Sequence, residues 1–248
     1  MEKIELRNIR KNSYTKTESL RALKTNLQFC GDDIKTILFT SSLPDEGKST
    51  VTFDLARSLT ESGKSVLLID TDMRKSVLVG RLRAKSNDKQ EILGLSHYLS
   101  GQKKLTEVMY ATQIPKLFMI FAGPSVPNPT EILEKKYFDE LMGFARQQFD
   151  YVLIDCAPIG AAIDAAIVAK HCDGAVLVIA QGMAGSRMIA SVKKQLETSG
   201  VRILGAVLNK VKMESSHYGK YYGRYYGSYY GSYYGDYYRR ESEDEDEA

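Results

Sequence analysis

An α/β fold, a mostly parallel sheet flanked by helices, is predicted by three observations. Apolar runs of strand length alternate with stretches of helical period. Those runs carry almost no polar residues, as in strands buried on both faces. The 248-residue chain is 43% hydrophobic, enough for one large core or two small ones.

The first strand is predicted at Thr36–Thr40 ("TILFT"), which passes through "SSLPDEGKST" into the helical stretch "STVTFDLARSLTES". Val66–Ile69 ("VLLI") and Leu117–Ala122 ("LFMIFA") give two further strands, and "NPTEILEKKYFDELMGFARQQ" gives a packing helix before a fourth at Tyr151–Ile154. Ala175–Ala180 and Leu204–Leu208 complete the set. Between them "SRMIASVKKQLETSG" begins at a serine and closes on Gly200, both helix-end signals. After Met213 no aliphatic residue appears until Ala248. Such a segment cannot bury enough apolar area to offset an ordering entropy of roughly 1–2 kcal/mol per residue, so residues 1–211 are predicted to form one domain and 212–248 a disordered tail.

Composition removes several classes of function. The net charge is only +3 and the basic residues form no stripe, which gives nucleic-acid binding no support. Cys30, Cys156 and Cys172 are odd in number and lack CxxC spacing, which suits reduced thiols in a cytoplasmic protein. The N-terminus is too polar for a signal peptide, and runs such as "AVLVIA" fall far short of a membrane span, so membrane contact is expected through a partner. His97, His171 and His217 have no ligand spacing.

A strand, a loop ending in Gly-Lys-Ser and a helix form the context of a phosphate-binding loop, and the predicted fold is therefore P-loop NTPase-like. Such a loop, here Pro44, Asp45, Glu46, Gly47, Lys48, Ser49 and Thr50, turns backbone N–H groups and a helix N-terminus toward a polyphosphate. Lys48 is placed to reach the β- and γ-phosphates and Ser49 to ligate Mg²⁺, so ATP and Mg²⁺ are the expected cofactors. Ser42 stands where a first glycine is common, and Pro44 stiffens the loop.

Two later strands end in acid: "VLLIDTDMR" and "YVLIDCAP" bring Asp70, Asp72 and Asp155 to carboxyl ends of buried strands, where open α/β sheets bind ligands. With Ser49 they form the candidate metal set; each could instead cap the turn that follows it. The DxDxR element goes beyond what a phosphate loop needs. An enzyme that moves phosphate onto tyrosine must take the proton of a phenol with a pKa near 10, and a carboxylate beside the γ-phosphate can accept it. Asp70 is the candidate base and Asp72 a second metal-side carboxylate. Arg74 either neutralises phosphate charge or braces the loop.

At these positions the chain resembles the bacterial tyrosine kinases of capsule and exopolysaccharide synthesis, in their separate cytoplasmic form. The likeness rests on "SSLPDEGKST" as Walker A, "LLIDTDMR" as Walker A′, "VLIDCAP" as Walker B, "AGPSVPNPTEIL" at 122–133, "GAVLNKV" at 205–211 and the closing tyrosines. It implies that Lys48 and Ser49 hold nucleotide and metal, that Asp70 and Asp72 work at the transferred phosphate, and that Asn209 lies at the adenine. It also implies a ring of subunits closed by an N-terminal ExxRxxR helix near residues 15–30. Here Glu18 and Arg21 match and Lys24 replaces the last arginine, keeping the charge and losing the planar fork. A helix packed only on its own subunit is the alternative. "RKSVLVGRL" lacks the proline of that segment, which leaves the loop conformation open. The implied partners are the cytoplasmic segment of a membrane polysaccharide co-polymerase, acting as activator at the inner membrane face, and a phosphotyrosine phosphatase.

The phosphoacceptors are expected among eleven of the chain's 16 tyrosines: Tyr218, Tyr221, Tyr222, Tyr225, Tyr226, Tyr229, Tyr230, Tyr233, Tyr234, Tyr237 and Tyr238. By the same resemblance they are expected to be modified in trans, and the added charge is expected to loosen the oligomer. The competing function is a partitioning or cell-division ATPase switch of the same fold, which carries a lysine five residues before the main one, where this chain has Leu43. A nucleotide-binding scaffold without transfer is the third class.

Overall fold

The computed structural model describes residues 2–86 and 91–212. In chain order the elements are β1 (Glu2–Leu6), α1 (Tyr14–Phe29), β2 (Thr36–Ser41), α2 (Lys48–Glu61), β3 (Val66–Asp70), α3 (Leu78–Leu82), β4 (Ala84–Ser86), α4 (Leu95–Leu99), α5 (Leu105–Val108), β5 (Met109–Thr112), β6 (Leu117–Ile120), α6 (Pro129–Leu133), α7 (Lys136–Gln148), β7 (Tyr151–Asp155), α8 (Asp164–Ala169), β8 (Gly174–Ala180), α9 (Ser186–Thr198) and β9 (Ile203–Asn209). By its contacts the chain divides into two units, Met1–Asn209 and Lys210–Ala248. Of the second only residues 210–212 are described, so the predicted tail and its eleven tyrosines lie outside the described residues.

The strands form one sheet in the order β4-β1-β5-β6-β3-β7-β2-β8-β9. From β6 to β9 every pairing is parallel. β5 runs antiparallel to β6 and parallel to β1, and β4 runs antiparallel to β1. Every residue of β2 and β3 is buried, which is why those strands read as unbroken apolar runs. Alternate residues feed opposite faces. Leu38, Ile69, Ile154 and Leu177 pack with Phe138, Leu141 and Met142 of α7, while Ile37, Phe39, Leu68 and Leu153 pack with Leu55 and Leu59 of α2 and Leu20 and Leu27 of α1.

All six predicted strands are present. The single helix predicted over 128–148 is instead two, because Lys135 adopts an extended conformation (ψ 155°) between α6 and α7. β1, β4 and β5 were not predicted: they are short, half-buried strands at one edge of the sheet. Cys30, Cys156 and Cys172 are all free. No helix among the described residues is long and apolar enough to cross a membrane.

Candidate active site

The parallel block sets the carboxyl ends of β3, β7, β2 and β8 side by side, so the loops that leave them converge. Residues 42–47 connect β2 to α2. Gly47 takes φ 92°, open to glycine at little cost, and a β-carbon there would lie 2.2 Å from Asn209 Nδ2. Gly47 supplies no side-chain cap to α2, which leaves the first-turn N–H groups aimed at the loop. Pro44 and Asp45 form the exposed tip, and Thr50 is half-buried in the first turn.

Glu46, predicted as a nucleotide contact, holds the loop's shape. It is fully buried and accepts from Leu43 N (2.8 Å) and Ala180 N (3.1 Å), tying the loop to the end of β8. Asn209, expected at the adenine, donates through Nδ2 to the Glu46 carbonyl at 2.8 Å. In this way the two side chains satisfy buried donors and acceptors that the tight loop leaves.

Lys48 reaches across the loop to Asp72 (Nζ–Oδ2 3.1 Å) and Asp155 (Nζ–Oδ1 3.5 Å), with Ser49 Oγ 3.4 Å away. Burial works against the ammonium, but Asp155, Asp72 and Asp70 outweigh it and hold its pKa above the ordinary value. Asp70 and Asp155 are register partners on β3 and β7, each 1% exposed. Burial, and then the charge of Asp155, push the Asp70 carboxyl up to about 8, against the Ser76 hydroxyl (Oγ–Oδ2 2.5 Å), the Asp72 N–H (3.0 Å) and Lys48. Burial also raises Asp155, opposed by Lys48 and Ser49. Cys156 follows Asp155, and burial pushes its thiol up to about 12, so it is no nucleophile at neutral pH.

The three carboxylates do not form a ready metal cage. Among the described residues no three His, Cys, Asp or Glu side chains converge on one point. Asp70 is bound to Ser76 and to the Asp72 N–H, and Asp72 to Lys48 and the Lys75 N–H (3.0 Å). Of the expected set of Ser49, Asp70, Asp72 and Asp155, Asp70 and Asp72 are engaged by these bonds, and Asp155 with Ser49 could hold the ion. Asp155 Oδ1 is buried and makes no hydrogen bond, with the Lys48 ammonium 3.5 Å away. That suits Mg²⁺, which takes one or two carboxylates and completes its shell with phosphate and water.

Arg74 braces. Its guanidinium forks onto Asp164 (Nε–Oδ2 2.7 Å, Nη2–Oδ1 3.0 Å), and Thr130 Oγ1 donates to the same carboxylate at 3.0 Å. Of the two readings left open by the sequence, the fork has the geometry of the second, the brace. Asp164, Thr130 and Ser76 were missed. A lone acid inside "AAIDAA" was a signal for Asp164; Thr130 and Ser76 had none.

Glu18, Arg21 and Lys24 lie on α1. Glu18 and Arg21 pair within the helix at 2.6 Å, and Lys24 Nζ donates to Ser62 Oγ at 2.6 Å, at the end of α2. Lys16 also pairs with the buried Asp54 of α2 at 2.5 Å. Of the histidines, His97 Nδ1 accepts from Gly94 N and His171 packs edge-on against Phe138.

Residues 34–214 match the AAA domain family. Over 220 residues, 88% of this chain and 94% of the relative, the sequence is 39% identical to the tyrosine-protein kinase CpsD of Streptococcus agalactiae. The kinase domain of the Escherichia coli tyrosine kinase ETK superposes with a TM-score of 0.74 at 31% identity, covering 81% of this chain and 78% of that one. A weaker likeness, with a TM-score of 0.58 at 25% identity and covering 70% and 69%, is to the septum site-determining protein MinD of Pyrococcus horikoshii complexed with Mg-ADP.

Proposed function

This chain belongs to the bacterial tyrosine-protein kinase family, and from that premise we propose that it transfers the γ-phosphoryl group of ATP to the tyrosines of its own C-terminal cluster in a neighbouring copy. The observation that carries the reading is the meeting of Lys48 with the strand-end acids Asp70, Asp72 and Asp155 beside a glycine-turned phosphate loop.

Lys48 leaves its two carboxylates for the β- and γ-phosphates as nucleotide enters. Asp155 and Ser49 would hold Mg²⁺, which when bound would offset the charge of the phosphates. Asp70 takes the phenolic proton. The tyrosine Oη then forms its bond to the γ-phosphorus as the bond to the β,γ-bridging oxygen breaks, and ADP leaves with the electron pair. A carboxyl raised toward neutrality is a stronger base than an ordinary aspartate, which suits a phenol. Asp72 positions Lys48 and, through its N–H, Asp70; Arg74 anchors the same loop to Asp164.

Activity is set against a phosphotyrosine phosphatase in a capsule or exopolysaccharide system. The chain acts at the inner membrane face through the cytoplasmic segment of a membrane co-polymerase, and copies assemble as a ring through α1. The partitioning-type switch has weaker support, since its likeness is the more distant and Leu43 stands at its extra lysine position. Incubation with ATP and Mg²⁺, with and without the cognate membrane segment, followed by a phosphotyrosine assay, tests the reading. Label on residues 218–238 that is lost in Lys48→Met is expected; ADP production with no phosphotyrosine under either condition refutes it.

A further inference from the structure

Both oxygens of the proposed base already accept hydrogen bonds. Asp70 Oδ1 accepts from the Asp72 N–H at 3.0 Å, and Oδ2 accepts from the Ser76 hydroxyl at 2.5 Å, the short end of the O–H···O range. The first donor is backbone and fixed. The second is a side chain one bond rotation from release.

Ser76 cannot drift away as a whole. Arg74 and Lys75 before it are held by the Asp164 fork and by the Asp72 carboxylate (Lys75 N–Oδ1 3.0 Å), and two residues after it Leu78 is fully buried at the start of α3. The hydroxyl alone has room to turn, because Ser76 also lines a cleft of about 980 Å³, with Val79, Lys85 and Pro124 among its other walls. A turn about χ1 between staggered positions takes the hydroxyl off the carboxylate. Asp70 is 1% exposed, so one hydroxyl is enough to cover it.

We propose that Ser76 determines which nucleophile the site accepts: its hydroxyl closes the proton-accepting oxygen of Asp70 to water and yields it to an acceptor phenol. The inference rests on the kinase reading above and adds what keeps that site from hydrolysing ATP. Water and phenol can each give Asp70 a proton and attack the γ-phosphorus. With water, the new O–P bond forms as the bond to the β,γ-bridging oxygen breaks, and the products are phosphate and ADP. Ser76 exchanges no atom in either reaction. Either nucleophile must first turn its hydroxyl away from the carboxylate. A phenol arrives on a peptide, whose contacts away from the reacting oxygen offset that cost, whereas a water molecule has no such contacts. The phenol is also the better donor, with an ordinary pKa of about 10 against about 16 for water.

Hydrolysis is measured apart from transfer in the full-length chain with all eleven tail tyrosines changed to Ala, in the presence of the membrane segment if one is required. Ser76→Ala leaves at Oδ2 a space that water can fill. It is expected to raise phosphate release from ATP roughly tenfold, the factor that one hydrogen bond of ordinary net strength represents, and Ser76→Thr, which keeps the hydroxyl, to stay within roughly twofold of the parent. A loosened or destabilised loop would lower the rate, so a gain reports on Ser76 itself. As a measurement independent of turnover, a crystal structure of Ser76→Ala is expected to hold an ordered water about 3 Å from Asp70 Oδ2. Hydrolysis that is unchanged or lower in Ser76→Ala, or raised equally in Ser76→Thr, overturns the role given to Ser76, as does an Oδ2 with no water beside it. A chain with Ser76 and all its tyrosines intact that consumes ATP and makes no phosphotyrosine overturns the kinase reading instead.

Discussion

Asp70 and Asp155 stand opposite one another at the ends of the neighbouring parallel strands β3 and β7, both buried, with Lys48 as the cation that faces them. Two buried acids in register are unfavourable unless a proton or a cation separates their charges.

Replacing Asp70 makes this measurable. Its folded-state pKa of about 8 lies above the ordinary 3.8, so between those values the folded chain keeps a proton that the unfolded chain has lost. Stability falls as pH rises through that window and levels off above it. Asp70→Asn removes the effect. Its Tm, measured in EDTA without nucleotide, is expected to exceed that of the parent by a margin that grows from pH 5 to pH 8, while tyrosine phosphorylation drops roughly 10²–10⁴-fold. A margin that does not change with pH contradicts the assignment.

Glu46→Gln tests the loop. A glutamine offers one carbonyl oxygen where Glu46 accepts from two backbone N–H groups, Leu43 and Ala180, so one buried donor is left facing an NH₂ group. A loss of roughly 1–3 kcal/mol in stability is expected, with weaker ATP binding by calorimetry. If ATP affinity falls while stability is untouched, Glu46 contacts nucleotide after all.

Arg74→Ala takes the guanidinium fork from the fully buried Asp164 and leaves it the hydrogen bond from Thr130. The Tm is expected to fall, and the double variant Arg74→Ala with Asp164→Ala to recover part of the loss, since no unpaired acid then remains. Additive losses in denaturant unfolding would show that the fork contributes nothing.

Phosphorylation of five tail tyrosines adds roughly −8 to −10 charges next to the acidic "ESEDEDE". The repulsion is expected to lower the oligomeric mass relative to phosphatase-treated protein at matched low salt, and the difference to shrink as salt rises. Equal masses at low salt refute it.

The sequence was legible where physical constraint is local. β2, β3, β7 and β8 lie between two layers of side chains, and burial on both faces forces the apolar runs that betray them. β1 escaped because its buried Ile4 and Leu6 alternate with exposed Glu5 and a polar start, and β4 because Ala-Lys-Ser carries no pattern at all. Gly47, Lys48 and the strand-end acids Asp70 and Asp155 were found because a phosphate loop and a carboxyl strand end are defined by neighbours in the chain.

What each of those side chains does was decided by contacts the chain makes over long separations. Arg74 finds Asp164 across 90 positions, and Asn209 finds Glu46 across 163. Local periodicity fixes which face a residue lies on, and so the sequence alone determined a parallel sheet with acids and a phosphate loop along one edge. The partner a buried charge or amide takes depends on which distant groups are within about 3 Å of it once the sheet has assembled, because at that range desolvation must be matched by a specific hydrogen bond. That choice, bracing for Arg74, a loop clamp for Glu46 and Asn209, and Ser76 over Asp70, belongs to the tertiary structure alone.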